Sequence, residues 1–273
     1  MLYLCATPIG NLGDITLRAV ETLERCDMIY CEDTRHSLQL LNHLGIKKPL
    51  FSCHEHNEKQ RAQEVAALLT AGKEIVYISD AGMPGISDPG CTLVAECIRQ
   101  DLPYTVLPGA SAVVTAAVLS GFPASPFTFF GFLPRDNKEK KQMLSQIADC
   151  THLALLYESP HRVQSTLKLL YETLGDRPAA VLRELTKKFE SVNRGDLSAL
   201  IAQYEEAPKG ECVIAVLCQK EKPQATPDEL EAFLQAALSS GSSVKDAASA
   251  AAQALGVVKK SAYQKALELT QNQ

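Results

Sequence analysis

The chain has 273 residues, a length that fits two domains better than one. Apolar residues make up 46% of it and charged residues 22%, which excludes an intrinsically disordered chain. No apolar stretch reaches the roughly 18 residues of a membrane helix, and a net charge of −5 is unusual for a nucleic-acid-binding protein.

The acidic excess is confined to the first part of the chain. Residues 1–120 carry 9 basic and 14 acidic side chains, whereas residues 134–188 carry 10 basic and 7 acidic ones. We therefore expect a polyanion to meet the middle of the chain rather than its ends.

The first 120 residues alternate short apolar runs with helical patterns. The predicted strands are 2–6, 27–31, 50–53, 74–79 and 103–107. The predicted helices are 15–25, 35–44, 57–71, 90–101 and 111–120. This alternation predicts a mainly parallel sheet with helices on its faces.

A second α/β domain follows the turn-rich segment 121–126, which predicts a linker. Its predicted strands are 127–132, 152–157, 179–184, 189–194 and 211–218, and its predicted helices are 138–149, 160–174 and 196–204. Because two strands are adjacent in sequence, we expect a mixed sheet.

The Ala-rich C-terminal part predicts three helices over 227–238, 244–255 and 259–269. They fit either a helix-turn-helix unit or a packing appendage, and shape alone leaves both open. The predicted domains are 1–120, 121–220 and 225–273.

Nine cysteines without any C-x-x-C pair favour buried, reduced thiols in a cytoplasmic protein. The run Cys53, His54, Glu55 and His56 has alternating metal-ligand types but no distant partner of fitting spacing. A polar rim of a cleft is the favoured interpretation, and we predict no metal.

The segment 78–90, ISDAGMPGISDPG, carries the strongest functional signal. Gly82 and Gly85 permit close approach of the backbone to a ligand, and Asp80 can accept hydrogen bonds from a ribose or face a cation. The spacing matches neither a dinucleotide fingerprint nor a P-loop. The alternative is an ordinary tight connection between a strand and a helix.

Three further loops follow predicted strands, at 7–14, 32–35 and 108–112. Because parallel strands end at one edge of a sheet, four such loops predict a cleft. In the second half, the segment 157–162, YESPHR, places His161 and Arg162 where they could meet a phosphate, although Pro160 also suits a plain helix start.

Nine motifs occur in order over roughly 1–220: TPIGNLGDIT, CEDTR, HEHNE, SDAGMPGISDPG, PGASA, GFLP, YESPHR, RELTKKFE and KGE. Together they resemble the tetrapyrrole-methylase superfamily of S-adenosylmethionine enzymes. Within it they resemble the branch that methylates the 2′-oxygen of a cytidine in 16S ribosomal RNA. The tail, with SVKDA and KKSAY, is similar to that branch's small C-terminal helical domain, which favours the helix-turn-helix interpretation.

The resemblance implies two α/β domains with S-adenosylmethionine in the cleft between them, and a homodimer acting on 16S rRNA or the small ribosomal subunit. It places the cofactor contacts at Pro8, Asp80, Met83, Ile86, Ser111, Ala112, Tyr157, Leu185 and Gly210. Two alternatives stay open: a methyltransferase acting on a tetrapyrrole, and a non-catalytic RNA-binding assembly factor.

A ribose 2′-hydroxyl is a weak nucleophile, so a proton acceptor is expected within reach. The preferred candidates are Asp33, Glu55 and Glu158, with His54, His56 and Glu184 also open. Asp33 and Arg35 could instead form a structural ion pair.

The expected phosphate contacts are Arg35, Arg162 and Lys187. A wider RNA contact is expected from Arg135, Lys138, Lys140 and Lys141, which could equally be a solvated helix face.

Overall fold

The computed structural model describes residues 1–219 and 226–271. The chain divides into two compact units, Met1–Cys218 and Gln219–Gln273. The first unit contains two five-stranded sheets with their helices, and the second is helical. The boundary predicted at residue 120 lies inside the first unit, between its two sheets, and stays a prediction.

The first sheet is parallel throughout, as the alternating pattern predicts. Its strands are β1 (Leu2–Cys5), β2 (Met28–Cys31), β3 (Leu50–Ser52), β4 (Ile75–Ile78) and β5 (Tyr104–Leu107). Their order is β3-β2-β4-β1-β5. The central strands β1 and β4 are buried along their whole length, which explains their uninterrupted apolar sequences.

Four helices cover this sheet: α1 (Leu17–Arg25), α2 (Thr34–His43), α3 (Glu58–Thr70) and α4 (Cys91–Arg99). Side chains cap two of them, because Thr16 accepts a hydrogen bond from the Ala19 amide and Asp33 accepts one from the Arg35 amide. One apolar cluster packs Leu23 and Leu41 on one face of the sheet, and a second packs Val65 and Leu93 on the other. The helix α5 (Ala112–Leu119) packs instead against the second sheet, through Val113, Ala116 and Ala117.

The second sheet is mixed, in agreement with the adjacent strands in its sequence. It consists of β6 (Phe127–Phe132), β7 (Leu153–Glu158), β8 (Pro178–Arg183), β9 (Ser191–Asp196) and β10 (Cys212–Leu217), with helices α6 (Asn137–Asp149), α7 (Val163–Leu174) and α8 (Leu197–Gln203). The order is β6-β7-β10-β8-β9, in which only the β6–β7 pair is parallel.

Strand β9 begins two residues later than the sequence pattern predicts. Arg183 pairs with Ser191, so the intervening residues form the connection from β8. Glu184 and Thr186 have positive φ angles of 53° and 63° there, and Phe189 is 66% exposed. An apolar side chain in a turn therefore mimicked the start of a strand.

The C-terminal unit contains α9 (Pro227–Ser239), α10 (Val244–Leu255) and α11 (Lys259–Gln271). A capping box of Thr226 and Glu229 starts α9, Ser243 caps α10, and Gly256 ends α10 at a φ of 68°. Its core joins one leucine to small side chains: Leu234, Ala247, Ala248, Ala251, Ala262 and Ala266. Among the described residues, no helix is long and apolar enough to cross a bilayer.

Candidate active site

A cavity of about 470 Å³ is lined by residues from both sheets of the first unit. Its volume lies in the range of small-molecule pockets, roughly 300–1,000 Å³. Seven of the nine expected cofactor contacts line it: Asp80, Met83, Ile86, Ser111, Ala112, Tyr157 and Leu185. We call this space the first cavity.

The glycine loop, residues 79–90, forms much of the first cavity and is fixed at its beginning by the first strand's loop. The Thr7 amide donates to the Gly82 carbonyl at 2.9 Å, and the Gly82 amide donates back at 3.0 Å. Gly82 has a φ of 78°, which explains the glycine. Ser87, which lines the cavity, has a φ of 62°, an unusual conformation for a residue with a side chain.

The far end of the glycine loop is held by Glu58, the last residue of the HEHNE motif. Its carboxylate accepts hydrogen bonds from the Gly90 amide at 2.7 Å and from the Thr92 hydroxyl at 2.8 Å. Asn57 closes its own loop by accepting a hydrogen bond from the His54 amide at 2.8 Å. The motif therefore braces the glycine loop.

The other members of that motif lie outside both cavities described here. Glu55 and His56 are exposed, and His54 is partly buried. Residues 1–219 and 226–271 contain no group of three or more His, Cys, Asp or Glu side chains positioned to hold a metal ion.

Five carboxylate residues line the first cavity: Glu32, Asp80 and Asp88 from the loops of the first sheet, and Glu158 and Glu211 from the second sheet and its loops. Burial, followed by the nearby charges of Glu32 and Asp80, raises the pKa of Asp88 to about 7. Burial and the Asp80 charge likewise raise the pKa of Glu32. The Asp80 carboxylate accepts a hydrogen bond from the Asp33 amide at 3.1 Å, which ties the ends of β2 and β4 together.

Glu32 and Asp88 were missed as candidates in the sequence. Glu32 directly follows β2, and Asp80 follows β4 after one residue, so the pairing of these neighbouring strands brings both carboxylates to one edge. Asp88 lies eight residues beyond Asp80 in sequence, and only the folded glycine loop returns it to the same cavity.

Asp33 forms the structural ion pair that the sequence left open. Its carboxylate accepts hydrogen bonds from Arg35 Nε at 3.1 Å and Nη2 at 2.6 Å, and it caps α2. The Arg35 guanidinium beside it holds the pKa of Asp33 far below its usual range. Asp33 lines neither cavity.

Glu158 lines the first cavity, but its side chain is only 1% exposed. The carboxylate accepts hydrogen bonds from the Ser159 amide at 2.8 Å and the Thr166 hydroxyl at 2.7 Å. Arg162 Nε lies 3.4 Å from it. These contacts brace the start of α7, as Glu58 does for α4.

A second cavity of about 300 Å³ adjoins the first, sharing Ile9, Asp80, Ala81 and Glu211 with it. Pro8, an expected cofactor contact, lines this second cavity, together with His36 and Lys187. The Lys187 ammonium bridges the carboxylates of Glu184 and Glu211, each at 2.9 Å.

Gly210, the ninth expected cofactor contact, lines neither cavity. Its φ is 87°, and a Cβ at this position would overlap the Glu184 side chain. Glu184 also accepts a hydrogen bond from the Glu211 amide at 3.0 Å. The close approach of Glu184 explains this glycine.

The side chains expected to contact RNA differ in their exposure and in the contacts that they already make within the protein. Arg162 Nη2 donates to the Leu133 carbonyl at 2.7 Å, so its guanidinium holds β6 to α7. Arg35 is 88% exposed despite its ion pair. Lys138 and Lys141 are exposed on α6, Arg135 is exposed just before it, and Lys140 is partly buried.

Comparison with known proteins places this architecture in a family. The family model described as Tetrapyrrole (Corrin/Porphyrin) Methylases matches residues 1–201, and one described as RsmI C-terminal HTH domain matches residues 224–270. The sequence is 43% identical to the ribosomal RNA small subunit methyltransferase I of Synechocystis sp., over 98% of both chains. It is 45% identical to the protein of that name from Thermotoga maritima, over 81% of this chain and 99% of that one.

Solved structures with low sequence identity share the fold. A diphthine synthase aligns with a TM-score of 0.62 at 15% identity, covering 79% of this chain and 88% of that one. A uroporphyrin-III-C-methyltransferase from Thermus thermophilus aligns with a TM-score of 0.56 at 18% identity, covering 80% and 94%. The motifs, the paired sheets and the family match agree: the chain belongs to the tetrapyrrole (corrin/porphyrin) methylase family.

Proposed function

We propose that this protein transfers a methyl group from S-adenosylmethionine to the 2′-oxygen of a cytidine in 16S ribosomal RNA. The observation that supports this most strongly is the first cavity, where residues from both halves of the first unit meet and Glu32, Asp80 and Asp88 are among the carboxylates that line it. The near full-length similarity to proteins named ribosomal RNA small subunit methyltransferase I supports the choice of substrate.

The first cavity suits S-adenosylmethionine in shape and charge. Apolar side chains could contact the adenine, namely Ile9, Met83, Ile86, Leu185 and Val213. Ser111 and Ala112 stand at the start of α5, where free backbone amides favour a carboxylate or hydroxyl acceptor. Glu32 and Asp80 provide the negative charge that a sulfonium and an ammonium require. When bound, the cofactor would supply an electrophilic methyl group.

The chain's own contribution is positioning and exclusion of water. Tyr157 packs against Phe129 and Phe132, with ring centroids 4.7 and 5.5 Å away, and forms an aromatic wall. Holding donor and acceptor in line within such a site can lower a barrier by about 7–11 kcal/mol.

The second cavity is our candidate for the target nucleotide, because it adjoins the first and is flanked by cationic groups. Lys187 lines it, and Arg35 lies next to the lining residue His36. The exposed cations of α6 and its N-terminal flank, Arg135, Lys138 and Lys141, would extend the contact along RNA phosphates.

We also propose a homodimer. The edge strand β5 exposes Tyr104 and Val106, and α5 exposes Val114 and Val118 one turn apart. Exposed apolar side chains on two elements that are consecutive in the chain suit a contact with a second copy. Light scattering should give twice the chain mass, and Val118→Glu should shift it toward one chain mass; a single-chain mass for the unaltered protein would contradict the dimer.

The decisive experiment supplies the purified protein with tritiated S-adenosylmethionine and small subunits or 16S rRNA from a strain deleted for the gene. Label recovered as 2′-O-methylcytidine supports the proposal. Label on a porphyrinoid alone would contradict it and favour the tetrapyrrole alternative. Binding of the cofactor without transfer to any of these acceptors would favour an assembly factor.

A further inference from the structure

We infer that Asp88 is the catalytic base that accepts the proton of the ribose 2′-hydroxyl, with Glu32 as the neighbouring carboxylate that keeps it basic. This inference rests on the proposed function and adds to it a residue that the sequence did not single out.

The position of Asp88 in the first cavity is well defined. It lies in the glycine loop, between the Thr7–Gly82 pair at one end and the Glu58–Gly90 hydrogen bond at the other. Two anchors on one short loop leave the carboxylate little freedom to move away from the cavity that it lines.

Asp88 also differs in its hydrogen bonds from Asp33 and Glu158, two of the carboxylates that the sequence offered as proton acceptors. Asp33 and Glu158 each accept at least two, from cationic groups or from groups at helix starts. The Asp88 carboxylate accepts none from any residue in 1–219 or 226–271, so its lone pairs are available to a hydroxyl in the cavity.

The groups around Asp88 are largely acidic or neutral. Glu32 and Asp80 face it from the ends of β2 and β4, and the hydroxyl-bearing rings of Tyr77 and Tyr157 lie close enough for its charge to raise their pKa values. His54 lies beside Glu32 and partly offsets that residue's raised pKa. With burial added, the pKa of Asp88 reaches about 7, which suits a base working near neutral pH.

The proposed step balances in atoms and charge. The 2′-oxygen forms a bond to the methyl carbon while its proton moves to a carboxylate oxygen of Asp88. The electron pair of the broken carbon–sulfur bond stays on sulfur. One cation and one anion in the cavity are thereby converted into two neutral groups, which a buried site favours.

The test compares the unaltered protein with Asp88→Asn, Glu32→Gln and the exposed control Glu24→Gln on α1. Asp88→Asn should slow single-turnover methyl transfer to rRNA at least about 100-fold. Its calorimetric Kd for S-adenosylmethionine should stay within about threefold of the unaltered value, because the proton acceptor is not the main cofactor contact. The control should match the unaltered protein in both measurements.

The pH profile supplies a readout that a structural role would not move. For the unaltered protein, kcat/KM for the cofactor should rise with pH through an apparent pKa near 7. Glu32→Gln should lower that apparent pKa, because removing a nearby negative charge favours ionisation of Asp88.

The outcomes distinguish a failure of the proposed function from a failure of the role inferred for Asp88. No transfer to rRNA by the unaltered protein would overturn both the function and this inference. Transfer by the unaltered protein together with near-normal transfer by Asp88→Asn would overturn the inference alone. So would a tenfold loss of cofactor affinity in Asp88→Asn, which would make Asp88 a cofactor ligand, or an unmoved pH profile in Glu32→Gln.

Discussion

The carboxylate of Glu58 accepts a hydrogen bond from the backbone amide of Gly90 at 2.7 Å, joining the first residue of α3 to the last residue of the glycine loop. The same carboxylate accepts from the Thr92 amide at 3.2 Å and from its hydroxyl, so it also satisfies the start of α4. One buried side chain thereby sets where the glycine loop ends and where the following helix begins.

Replacing Glu58 with alanine should lower the free energy of unfolding by about 1–3 kcal/mol, because buried donors lose their acceptor. Urea unfolding measures this directly. Glu55→Ala, three residues earlier and exposed, is the matched control and should change stability by less than about 0.5 kcal/mol. Equal effects of the two substitutions would show that the Glu58 hydrogen bonds do not contribute to the free energy of unfolding.

Asp80→Ala should weaken S-adenosylmethionine binding by at least about tenfold, since it removes a cavity carboxylate and the acceptor for the Asp33 amide. Isothermal titration calorimetry gives the affinity. Asp80→Asn keeps an oxygen acceptor without the charge, so it separates the two contributions. An unchanged affinity in the alanine variant would place the cofactor elsewhere.

Asp88→Asn should be more stable than the unaltered protein, and the difference in the free energy of unfolding should be larger at pH 8 than at pH 5. Asp88 has a folded pKa of about 7 against an ordinary value of 3.8, so the folded state holds its proton more tightly and loses stability as pH rises between these values. The asparagine variant lacks this loss. We expect a gain on the order of 1–2 kcal/mol at pH 8, allowing for solvent screening, in urea unfolding.

Glu24→Gln serves as the control for the Asp88→Asn measurement, because its side chain is exposed on α1. Its stability should follow the unaltered protein at both pH values. If the stability of Asp88→Asn also followed the unaltered protein at both pH values, the Asp88 carboxylate would have an ordinary pKa and would be unsuited to the proposed role.

Reversing the charges of Lys138, Lys140 and Lys141 to glutamate should weaken RNA binding and flatten its salt dependence. Each lost phosphate contact removes about 0.7 from the slope for single-stranded RNA. Filter binding across a salt series measures it. Lys141→Glu can be matched with Lys47→Glu, an exposed lysine remote in sequence. Equal salt-dependence slopes for Lys141→Glu and Lys47→Glu would mean that the α6 lysines form a solvated helix face and not an RNA contact.

Alkylation of the native protein should modify Cys91 first. Cys91 is exposed, whereas burial raises the pKa of Cys5 and Cys53 to about 12 and removes the reactive thiolate. Mass spectrometry after brief iodoacetamide treatment at pH 8 gives the order. Early modification of Cys5 or Cys53 would mean that strand β1 or the segment after β3 opens readily. Bound S-adenosylmethionine should slow labelling of Cys91, whose thiol donates to the Gly85 carbonyl in the glycine loop.

The sequence alone predicted the order and type of the strands and helices, because local periodicity reflects them, although the bounds of β9 were wrong. Alternation of apolar runs with helical patterns predicts the parallel first sheet, and adjacent strand patterns predict the mixed second sheet. The sequence also singled out the glycine loop as a functional segment, since its density of Gly, Pro and Asp exceeds what a plain connection between a strand and a helix needs. Strand β9 was misplaced by two residues because Phe189 is apolar yet lies in a turn.

Only the tertiary structure decided which polar side chains face the cavity and which hold the fold together. Asp33, Glu58 and Glu158 all lie near the end of a strand or the start of a helix, yet their carboxylates accept hydrogen bonds from Arg35, Gly90 and Thr166. Asp88 looks no different in sequence. Its environment arises because long-range strand order brings Glu32 and Asp80 beside it and buries all three partly, and charge–charge effects of that kind depend on distances that no local pattern encodes.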